Sequence, residues 1–152
     1  MIYADGSIVP SPPVPVVHVK LFVDTSSSGK LVYEVLPALK IDVGIYELLG
    51  SPGFALGCAA GDTIRCSPDG RFTIEVKSGN HCVQIYAGRP IPSESLEVLA
   101  RAVVELNGKV EWPSNRRFAV ITLPPSVAIS KIESALDSWA AGVPNAQWWF
   151  GN

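Results

Sequence analysis

The sequence predicts an α+β fold, in which a β-rich N-terminal half packs on a C-terminal half that contains two helices. Three observations predict it: apolar and polar residues alternate over much of residues 16–80, helical periodicity occurs twice after residue 92, and turn residues separate the segments. We expect a Pro-rich tail over residues 1–15 and a single compact domain over residues 16–152. Its β-rich half spans about 16–80, and a β-α-β-β-α-β half spans about 81–152.

Strand patterns fill the N-terminal half. Alternating apolar residues from Val17 to Val23 predict a first strand with one buried face, and residues 31–42 predict a second strand in which Pro37 marks a bend or an edge position. Residues 44–61 are rich in glycine and small side chains, which predicts an irregular but buried connection. Two further strand patterns flank the turn at residues 67–70. These strands predict a curled β-sheet or a small barrel.

The C-terminal half predicts the order strand, helix, strand, strand, helix, strand. The strands are expected at residues 81–86, 109–112, 117–123 and 147–150. The first helix is expected to be capped by Ser93 and to stop at Asn107-Gly108, and the second is expected to begin near Ser126 and to end before Gly142. This order is typical of a ferredoxin-like, split βαβ arrangement, with two helices on one face of a four-stranded sheet.

Both predicted helices carry one apolar stripe. On the first helix, the apolar face consists of Leu96, Leu99, Val103 and Leu106. An acidic stripe, which also contains the basic residue Arg101, lies on nearly the opposite side. The acidic stripe consists of Glu94, Glu97 and Glu105. On the second helix, the apolar stripe consists of Ile129, Ile132, Leu136 and Trp139. Each helix is therefore expected to bury one side and to expose the other.

Composition excludes several classes of protein. The 152 residues include 47% hydrophobic and 17% charged residues, which is enough apolar surface for a folded core. The net charge of −2 argues against a nucleic-acid-binding protein or one that binds anionic membranes. Residues 1–17 lack lysine and arginine and are broken by prolines, unlike a signal peptide, and the apolar runs are too short to cross a bilayer. We expect a cytoplasmic protein.

The three cysteines, Cys58, Cys66 and Cys82, predict no disulfide framework, because their number is odd and a chain of this length can stabilise its core without disulfide bonds. We expect reduced, buried thiols. Neither a C-x-x-C nor an H-x-x-x-H spacing occurs, so no metal site is predicted. The glycine-rich stretches match neither G-x-G-x-x-G nor the P-loop, so no nucleotide or other cofactor is predicted.

Short stretches of the chain resemble an uncharacterised bacterial family, a small domain of unknown function. The resemblance covers about residues 16–150 and depends on short sequence motifs and on their order along the chain. These motifs are Pro52-Gly53-Phe54-Ala55, Ala59-Ala60-Gly61-Asp62-Thr63-Ile64, Asp69-Gly70, Ser78-Gly79-Asn80-His81-Cys82-Val83-Gln84-Ile85, Leu123-Pro124-Pro125 and Trp148-Trp149. It implies one small α+β domain. The family has no established activity, so the resemblance supplies no catalytic residue.

Polar, reactive side chains are densest between residues 78 and 82, at the junction of the two predicted halves. Ser78, Asn80 and His81 are candidate ligand-binding residues, because binding sites favour such junctions. A Cys82 nucleophile would need a base other than its neighbour His81, since adjacent strand residues point to opposite faces, and His18 would have to serve. The interpretation that these residues form a turn and a strand with Cys82 buried and His81 exposed is favoured.

Asp62 follows Gly61 directly before a predicted strand. A carboxylate in this position commonly folds back onto the backbone N–H groups of its own turn, with the glycine taking a positive φ. A role as a general base would need a titratable partner at a fixed spacing, and none is found in the sequence. We therefore expect a structural role for Asp62 and predict no catalytic residue.

Two features predict a surface that binds another protein. One residue of the pair Trp148-Trp149 must face away from its core unless the N-terminal half covers it, and Trp149 is the candidate contact. The acidic residues Glu94, Glu97 and Glu105 would suit a basic partner. We expect a non-enzymatic interaction protein, specifically a cytoplasmic immunity protein that neutralises a bacterial toxin. The alternatives are a small-ligand-binding or regulatory domain and, ranked last, an enzyme that uses Cys82 or Asp62.

Overall fold

The computed structural model describes residues 14–152, so most of the predicted Pro-rich tail lies outside the described residues. The elements follow the order β1 Val16–Thr25, β2 Leu31–Asp42, β3 Ile45–Leu48, β4 Thr63–Cys66, β5 Phe72–Val76, β6 His81–Tyr86, α1 Ser93–Glu105, β7 Lys109–Glu111, β8 Phe118–Leu123, α2 Ile129–Ala141 and β9 Gln147–Phe150. The predicted α+β class is confirmed, with two helices and two antiparallel sheets.

The N-terminal sheet has five strands in chain order, β1-β2-β3-β4-β5, and every neighbouring pair is antiparallel. Val19 and Leu21 of β1 are buried, as the alternation predicts. The sheet curls until the β4–β5 turn meets β1, where the Phe22 N–H donates to the Gly70 carbonyl over 2.9 Å. The strands form an open, curled sheet and not a closed barrel, since β1 and β5 are its two edges.

Pro37 lies within a central strand, which differs from the edge position or bend that the sequence suggested. It is paired with His18 of β1, and β2 runs through it without a break. On the other side, β3 ends at Leu48, and the Pro37 carbonyl accepts a 2.9 Å bond from the Leu49 N–H. Because the pairing with β3 stops at Ala38, the missing N–H of Pro37 removes no bond from the ladder.

The C-terminal sheet has the strand order β7-β8-β6-β9, and all its neighbours are antiparallel. Both helices lie on one face of it. Alternate residues of β6 and β8 pack there against the apolar stripes of the helices, in a core formed by Val83, Ile85, Ala119, Ile121, Leu123, Leu96, Leu99, Val103, Ile132 and Leu136 among others. A separate core fills the concave side of the N-terminal sheet.

The helix ends differ in detail from the prediction. Ser93 is the first residue of α1 and makes no capping bond, because Pro92 occupies the N-cap position. The stop at Asn107-Gly108 is confirmed: Asn107 adopts a φ of 61°, and the N–H groups of Asn107 and Gly108 bond back to Val104 and Val103. Helix α2 begins at Ile129 instead of near Ser126.

The late start of α2 has a local cause and one consequence for packing. The Val127 N–H bonds to the Pro124 carbonyl, so the chain makes a turn there before the helix. Ile129 is therefore the first helical residue and is exposed, contrary to its expected place on the buried stripe. Ile132 and Leu136 are buried and Trp139 is half-buried, and Gly142 follows the end of α2 as predicted.

Residues 49–62, here called the connecting segment, join β3 to β4 and lie between the two sheets. Ser51, Pro52, Ala55, Cys58 and Ala59 of this segment are buried. A small third cluster, formed by Ala59, Cys82 and Val120, fills the space beneath it. The irregular but buried connection predicted over residues 44–61 is therefore confirmed from residue 49 onward, whereas residues 45–48 of that stretch form strand β3.

Gly108 is expected to tolerate no side chain, for steric reasons. An added Cβ would lie 2.5 Å from a Leu123 methyl carbon and 2.7 Å from the Thr122 carbonyl oxygen. We expect Gly108→Ala to lower the free energy of unfolding by about 2 kcal/mol, measured by urea denaturation. The control is Gly142→Ala, whose added Cβ would be 3.7 Å from the nearest atom, at ordinary contact distance. Equal stability losses in the two variants would contradict the steric reason.

Candidate functional site

One face of the C-terminal sheet points away from the helices and toward the N-terminal half. We call it the inner face, and it carries the side chains of Cys82, Gln84, Tyr86, Phe118, Val120, Thr122 and Trp149. Alternation along the strands puts them there, because their sequence neighbours pack under the helices. The connecting segment covers Cys82 and Gln84, which are buried, and leaves Tyr86 and Trp149 exposed.

Gln84 links the connecting segment to β9 through its side-chain amide. The Nε2 group donates to the Pro52 carbonyl over 3.0 Å and to the Ala55 carbonyl over 2.8 Å. The Oε1 atom accepts a 2.7 Å bond from the indole Nε1 of Trp149. Both N–H groups of the amide are thus used in a buried position, and the orientation of Trp149 is held by the same side chain.

Glu34 of β2 fixes the same segment from the side of the N-terminal sheet. Its carboxylate accepts backbone N–H bonds from Gly53 over 2.6 Å, Phe54 over 2.9 Å and Ala55 over 2.9 Å. Bonds to an ionised acceptor are stronger than those between neutral groups. Residues 53–55 are therefore held between a carboxylate of one sheet and an amide of the other.

Four aromatic side chains at the rim of the inner face form a surface that we call the aromatic patch: Phe54, Tyr86, Phe118 and Trp149. We count the exposed Leu56 with it, because the residues on either side of Leu56 are bonded to β6 and to the residue after β9: Ala55 to Gln84 and Gly57 to Gly151. The rings of Phe54 and Phe118 lie 4.5 Å apart, and Phe118 is paired with Tyr86 across β6 and β8. The exposed fractions are 43% for Phe54, 63% for Leu56, 45% for Tyr86 and 37% for Trp149. Large exposed apolar side chains gathered in one place are typical of an interaction site.

The two adjacent tryptophans face opposite sides of the sheet, as the strand period requires. Trp148 packs against the core under the helices, where its Nε1 donates to the Asp137 carboxylate over 2.9 Å. Trp149 lies on the inner face and is exposed. The expectation that one of the pair faces outward is confirmed, and it is the residue that the sequence nominated.

The acidic stripe of α1 lies on a different side of the molecule from Trp149. Glu94, Glu97 and Glu105 are all exposed on α1, as predicted. Helix α1 packs on the face of the C-terminal sheet opposite the inner face. The two predicted partner-binding features therefore form two separate surfaces.

The predicted ligand-binding residues lie together but are largely engaged in bonds within the chain. The Ser78 hydroxyl donates to the Ala60 carbonyl over 2.9 Å, and the Asn80 side chain donates to the same carbonyl over 2.8 Å. His81 is half-buried, and not exposed as expected, and its buried Nε2 atom makes no hydrogen bond within residues 14–152. A small cavity of about 170 Å³ beside them is lined by Gly57, Asp62, Lys77, Gly79, Asn80, His81 and Asn152.

Asp62 has the structural role that the sequence predicts. It is buried, and its carboxylate accepts bonds from the Ala59 N–H over 2.9 Å and from the Ser78 N–H over 2.8 Å. Gly61 before it adopts a φ of +86°. The carboxylate thus closes the connecting segment and ties it to the turn before β6.

The three cysteines are free thiols, and two of them are fully buried. Burial raises the pKa of Cys58 and of Cys82 to about 12, and the nearby carboxylates of Asp62 and Glu34 add to the effect. Cys66 is half-buried. The prediction of buried, reduced thiols is confirmed for Cys58 and Cys82. A thiol with so high a pKa is a poor nucleophile near neutral pH.

Neither a cluster of metal ligands nor a helix that could span a membrane occurs within residues 14–152. No group of three or more His, Cys, Asp or Glu side chains in that range is arranged to hold a metal ion. Both helices of the described part have 13 residues, and neither is long and apolar enough to span a membrane.

Comparison with known proteins shows the family to which this two-sheet α+β chain belongs. The family model described as "Domain of unknown function (DUF4265)" matches residues 34–144, so the chain belongs to this family. The predicted resemblance to an uncharacterised family is thereby confirmed, over a shorter stretch than expected. No curated protein matches the chain.

A solved structure shares the fold. The crystal structure of a hypothetical protein from Neisseria gonorrhoeae is similar to this chain with a TM-score of 0.65 and 19% sequence identity. The similarity covers 89% of this chain and 94% of the other. At this level of identity the likeness concerns the fold alone.

Sequence reasoning missed Gln84, Glu34 and most of the aromatic patch. Gln84 carried a usable signal, because it is a polar residue between Val83 and Ile85 in an otherwise apolar strand. Its alternation with Tyr86 could have placed both on one face. The approach of Phe54 to Phe118 had no sequence signal, because 64 positions separate the two residues.

Removal of the indole N–H of Trp149 is expected to destabilise the fold. The variant Trp149→Phe leaves the buried Oε1 of Gln84 without its 2.7 Å donor, at a cost of about 1–2 kcal/mol in the free energy of unfolding. Trp112→Phe is the matched control, because Trp112 is 39% exposed and no side-chain hydrogen bond of it is found in residues 14–152. Urea denaturation measures the free energy of unfolding of both variants. An equal loss of stability in Trp112→Phe would refute the role of the Trp149–Gln84 bond.

The buried thiols are expected to make the fold less stable at high pH. Their pKa is about 12 in the folded chain and near the ordinary value of 9 when unfolded, so the unfolded state releases these protons first. Stability should fall as pH rises from about 9 toward 12, by on the order of 1 kcal/mol per thiol for each pH unit. Denaturation at several pH values should show a shallower decline for the double variant Cys58→Ala/Cys82→Ala. Parallel declines would rule the thiols out as the cause.

Proposed function

We propose that this chain is a non-enzymatic protein-interaction domain, a cytoplasmic immunity protein that binds and neutralises a bacterial toxin through the aromatic patch. The observation that carries the proposal is the patch itself. Aromatic residues dominate the binding energy of protein interfaces, and the patch groups three exposed or partly exposed rings around Trp149. A partner that covers them would remove their apolar surface from water.

The patch is also held in place before any partner binds. Trp149 is bonded to Gln84, and the backbone of Phe54 is bonded to the Glu34 carboxylate. Side chains and loops that are already ordered lose little conformational freedom on association. This pre-organisation favours a binding surface over an incidental exposure of apolar residues.

The acidic stripe of α1 has a separate part in the proposal. Glu94, Glu97 and Glu105 are exposed on a chain whose net charge is −2, and a basic partner such as a nuclease toxin would be attracted to them. Complementary charge accelerates association, but salt screens it beyond about 10 Å, so the stripe would act at its own surface and not at the patch on the other side of the sheet. We therefore assign the tight contact to the aromatic patch and propose the stripe as a second, separate surface for a basic partner.

We further infer that the C-terminal half is a ferredoxin-like arrangement. Two observations support it: the element order β6-α1-β7-β8-α2-β9, and the strand order β7-β8-β6-β9 with both helices on one face. The fold supports many functions, so the proposed activity depends on the surface alone.

The other candidate roles have less support from the geometry. A ligand site at Ser78, Asn80 and His81 would compete with the bonds that Ser78 and Asn80 already make to the Ala60 carbonyl. An enzyme based on Cys82 would need a thiolate, which the raised pKa of this buried thiol opposes. His18, the base it would require, lies exposed on β1 in the other sheet.

The test is co-expression with the product of the adjacent reading frame, scored by cell survival and by co-purification. We expect the intact chain to rescue cells from a toxic neighbour and to form a stable complex with it. The patch variants Leu56→Asp and Tyr86→Ala should weaken binding by about tenfold or more, because each removes part of the contact. Neither side chain takes part in the Gln84 bonds, so the fold should be retained.

Two matched controls separate the patch from general surface effects. Val43→Asp places the same charge at a residue that is 82% exposed in the β2–β3 turn, and Trp112→Ala removes an aromatic ring outside the patch. Both should bind as the unaltered chain does. A neighbour that is harmless and does not bind would overturn the immunity role, and equal losses in variants and controls would remove the patch from it.

A further inference from the structure

We propose that the aromatic patch receives an acidic segment of a partner protein, whose carboxylates pair with three arginines at one end of the patch. These arginines are Arg89, Arg116 and Arg117, and we call them the arginine group. The inference rests on the proposed role of the patch as a contact for a partner protein. It adds the chemistry of the surface that the partner must present.

Two strand ends bring the arginine group to the patch. Phe118 is the first residue of β8, and it is paired with Tyr86, the last residue of β6. Arg117 directly precedes Phe118, and its carbonyl accepts a 3.0 Å bond from the N–H of Ala87, which directly follows Tyr86. The pairing of the two strands thus continues into Arg117, so this arginine lies beside two rings of the patch.

The other two arginines lie in the loops that continue from these strand ends. Arg89 follows Gly88, and an added Cβ on Gly88 would lie 3.7 Å from the ring of Tyr86. The Arg116 carbonyl accepts a 2.7 Å bond from the Ile91 N–H, which joins the two loops. Backbone bonds therefore hold both loops at the same edge of the patch.

The arginine group concentrates unpaired positive charge. Three of the six arginines belong to it, although the net charge of the chain is −2. Arg65 and Arg71 form ion pairs in the N-terminal sheet, whereas no member of the group forms an ion pair within residues 14–152. Arg89 and Arg117 are exposed, and Arg116 is half-buried. Carboxylates of a partner would therefore pair with this group without breaking an ion pair of the chain.

The acidic residues close to the arginine group do not neutralise it. The Glu34 carboxylate, beside Phe54, is used by the three backbone N–H groups of residues 53–55. Glu94 follows Arg89 by five positions and makes no ion pair in the described part of the chain. The patch thus joins exposed tyrosine and tryptophan rings to arginines, and these three residue types are the most enriched at binding hot spots.

Charge complementarity selects an acidic protein segment as the occupant. A guanidinium group binds a carboxylate through two parallel hydrogen bonds, while the neighbouring rings bury apolar side chains of the same segment. A single-stranded nucleic acid would need a positive groove that follows its whole backbone. Here the positive charge lies at one end of the patch, on a chain that is acidic overall.

The experiment compares two capped hexapeptides that differ only in charge. One has leucine and phenylalanine at its centre, flanked by aspartate and glutamate, and the other has asparagine and glutamine at the flanking positions. Binding is followed by the NMR signal of the Trp149 indole N–H, which lies in the patch. In about 0.05 M salt we expect the acidic peptide to bind at least about fivefold more tightly, and in about 0.5 M salt this preference should shrink.

Three results would overturn the proposal. They are equal binding of the two peptides in low salt, binding of neither peptide at about millimolar concentration, and tighter binding of an oligothymidylate than of the acidic peptide.

Variants locate the charge that the acidic peptide senses. Arg89→Gln and Arg117→Gln should each weaken binding of the acidic peptide about threefold or more and leave binding of the amide peptide unchanged. The control Arg101→Gln removes the same charge from an exposed position of α1 and should change neither. An equal loss in Arg101→Gln would contradict a local role of the arginine group.

Arg116 offers a variant in which stability and binding are expected to separate. Its φ of 55° lies in the left-handed region, which favours glycine. Arg116→Gly should therefore keep or raise the melting temperature of the chain, while it weakens the acidic peptide about threefold or more. Unchanged binding in this variant and in both glutamine variants would refute the proposal.

The peptide results and the co-expression results fail independently. If the neighbouring gene product binds at the patch but the two peptides bind equally, only the acidic chemistry of the partner is wrong. If the acidic peptide binds but the neighbour is harmless and does not bind, the immunity role is wrong and the acidic class of partner stands.

Discussion

Burial of the connecting segment between two sheets is the constraint on which the rest of this structure depends. An irregular segment cannot satisfy its own peptide groups, and each buried group without a partner costs free energy. Side chains from both sheets supply the partners: Gln84 bonds to two carbonyls, Glu34 to three N–H groups and Asp62 to the Ala59 N–H. The two halves are thereby joined by polar bonds as much as by apolar contact, since the core cluster between them has only three residues.

The same constraint shapes the exposed surface. Because the connecting segment covers only part of the inner face, Tyr86 and Trp149 remain at its rim, and Phe54 is brought against Phe118. The C-terminal end of the described chain is packed closely at the same junction: an added Cβ on Gly151 would lie 2.9 Å from the Cys82 sulfur. The exposed aromatic patch and the tightly packed junction thus both follow from the position of the connecting segment on the inner face.

Most elements of the fold could be predicted, because their signals are local. The alternation around Val19 and Leu21, the apolar stripe of α1 and the stop at Asn107 each depend on residues within a few positions of one another. The start of α2 was misplaced because the turn at Pro124 uses the residues that resembled the first turn of a helix. Pro37 was misjudged because its tolerance in a central strand depends on where β3 ends, which is a property of another strand.

The sequence by itself determined the α+β class, the faces of the strands and helices, and that one residue of the pair Trp148-Trp149 faces outward. These follow from the periods of strands and helices and from short-range turn chemistry, which the chain carries locally. Only the tertiary structure decided that Gln84 and Glu34 hold the connecting segment, that Phe54 joins Tyr86 and Trp149 in one patch, and that Trp149 and the acidic helix face lie on opposite sides of a sheet. The physical reason is that these contacts join residues distant in the chain, and their partners are set by how the two sheets and the helices pack together.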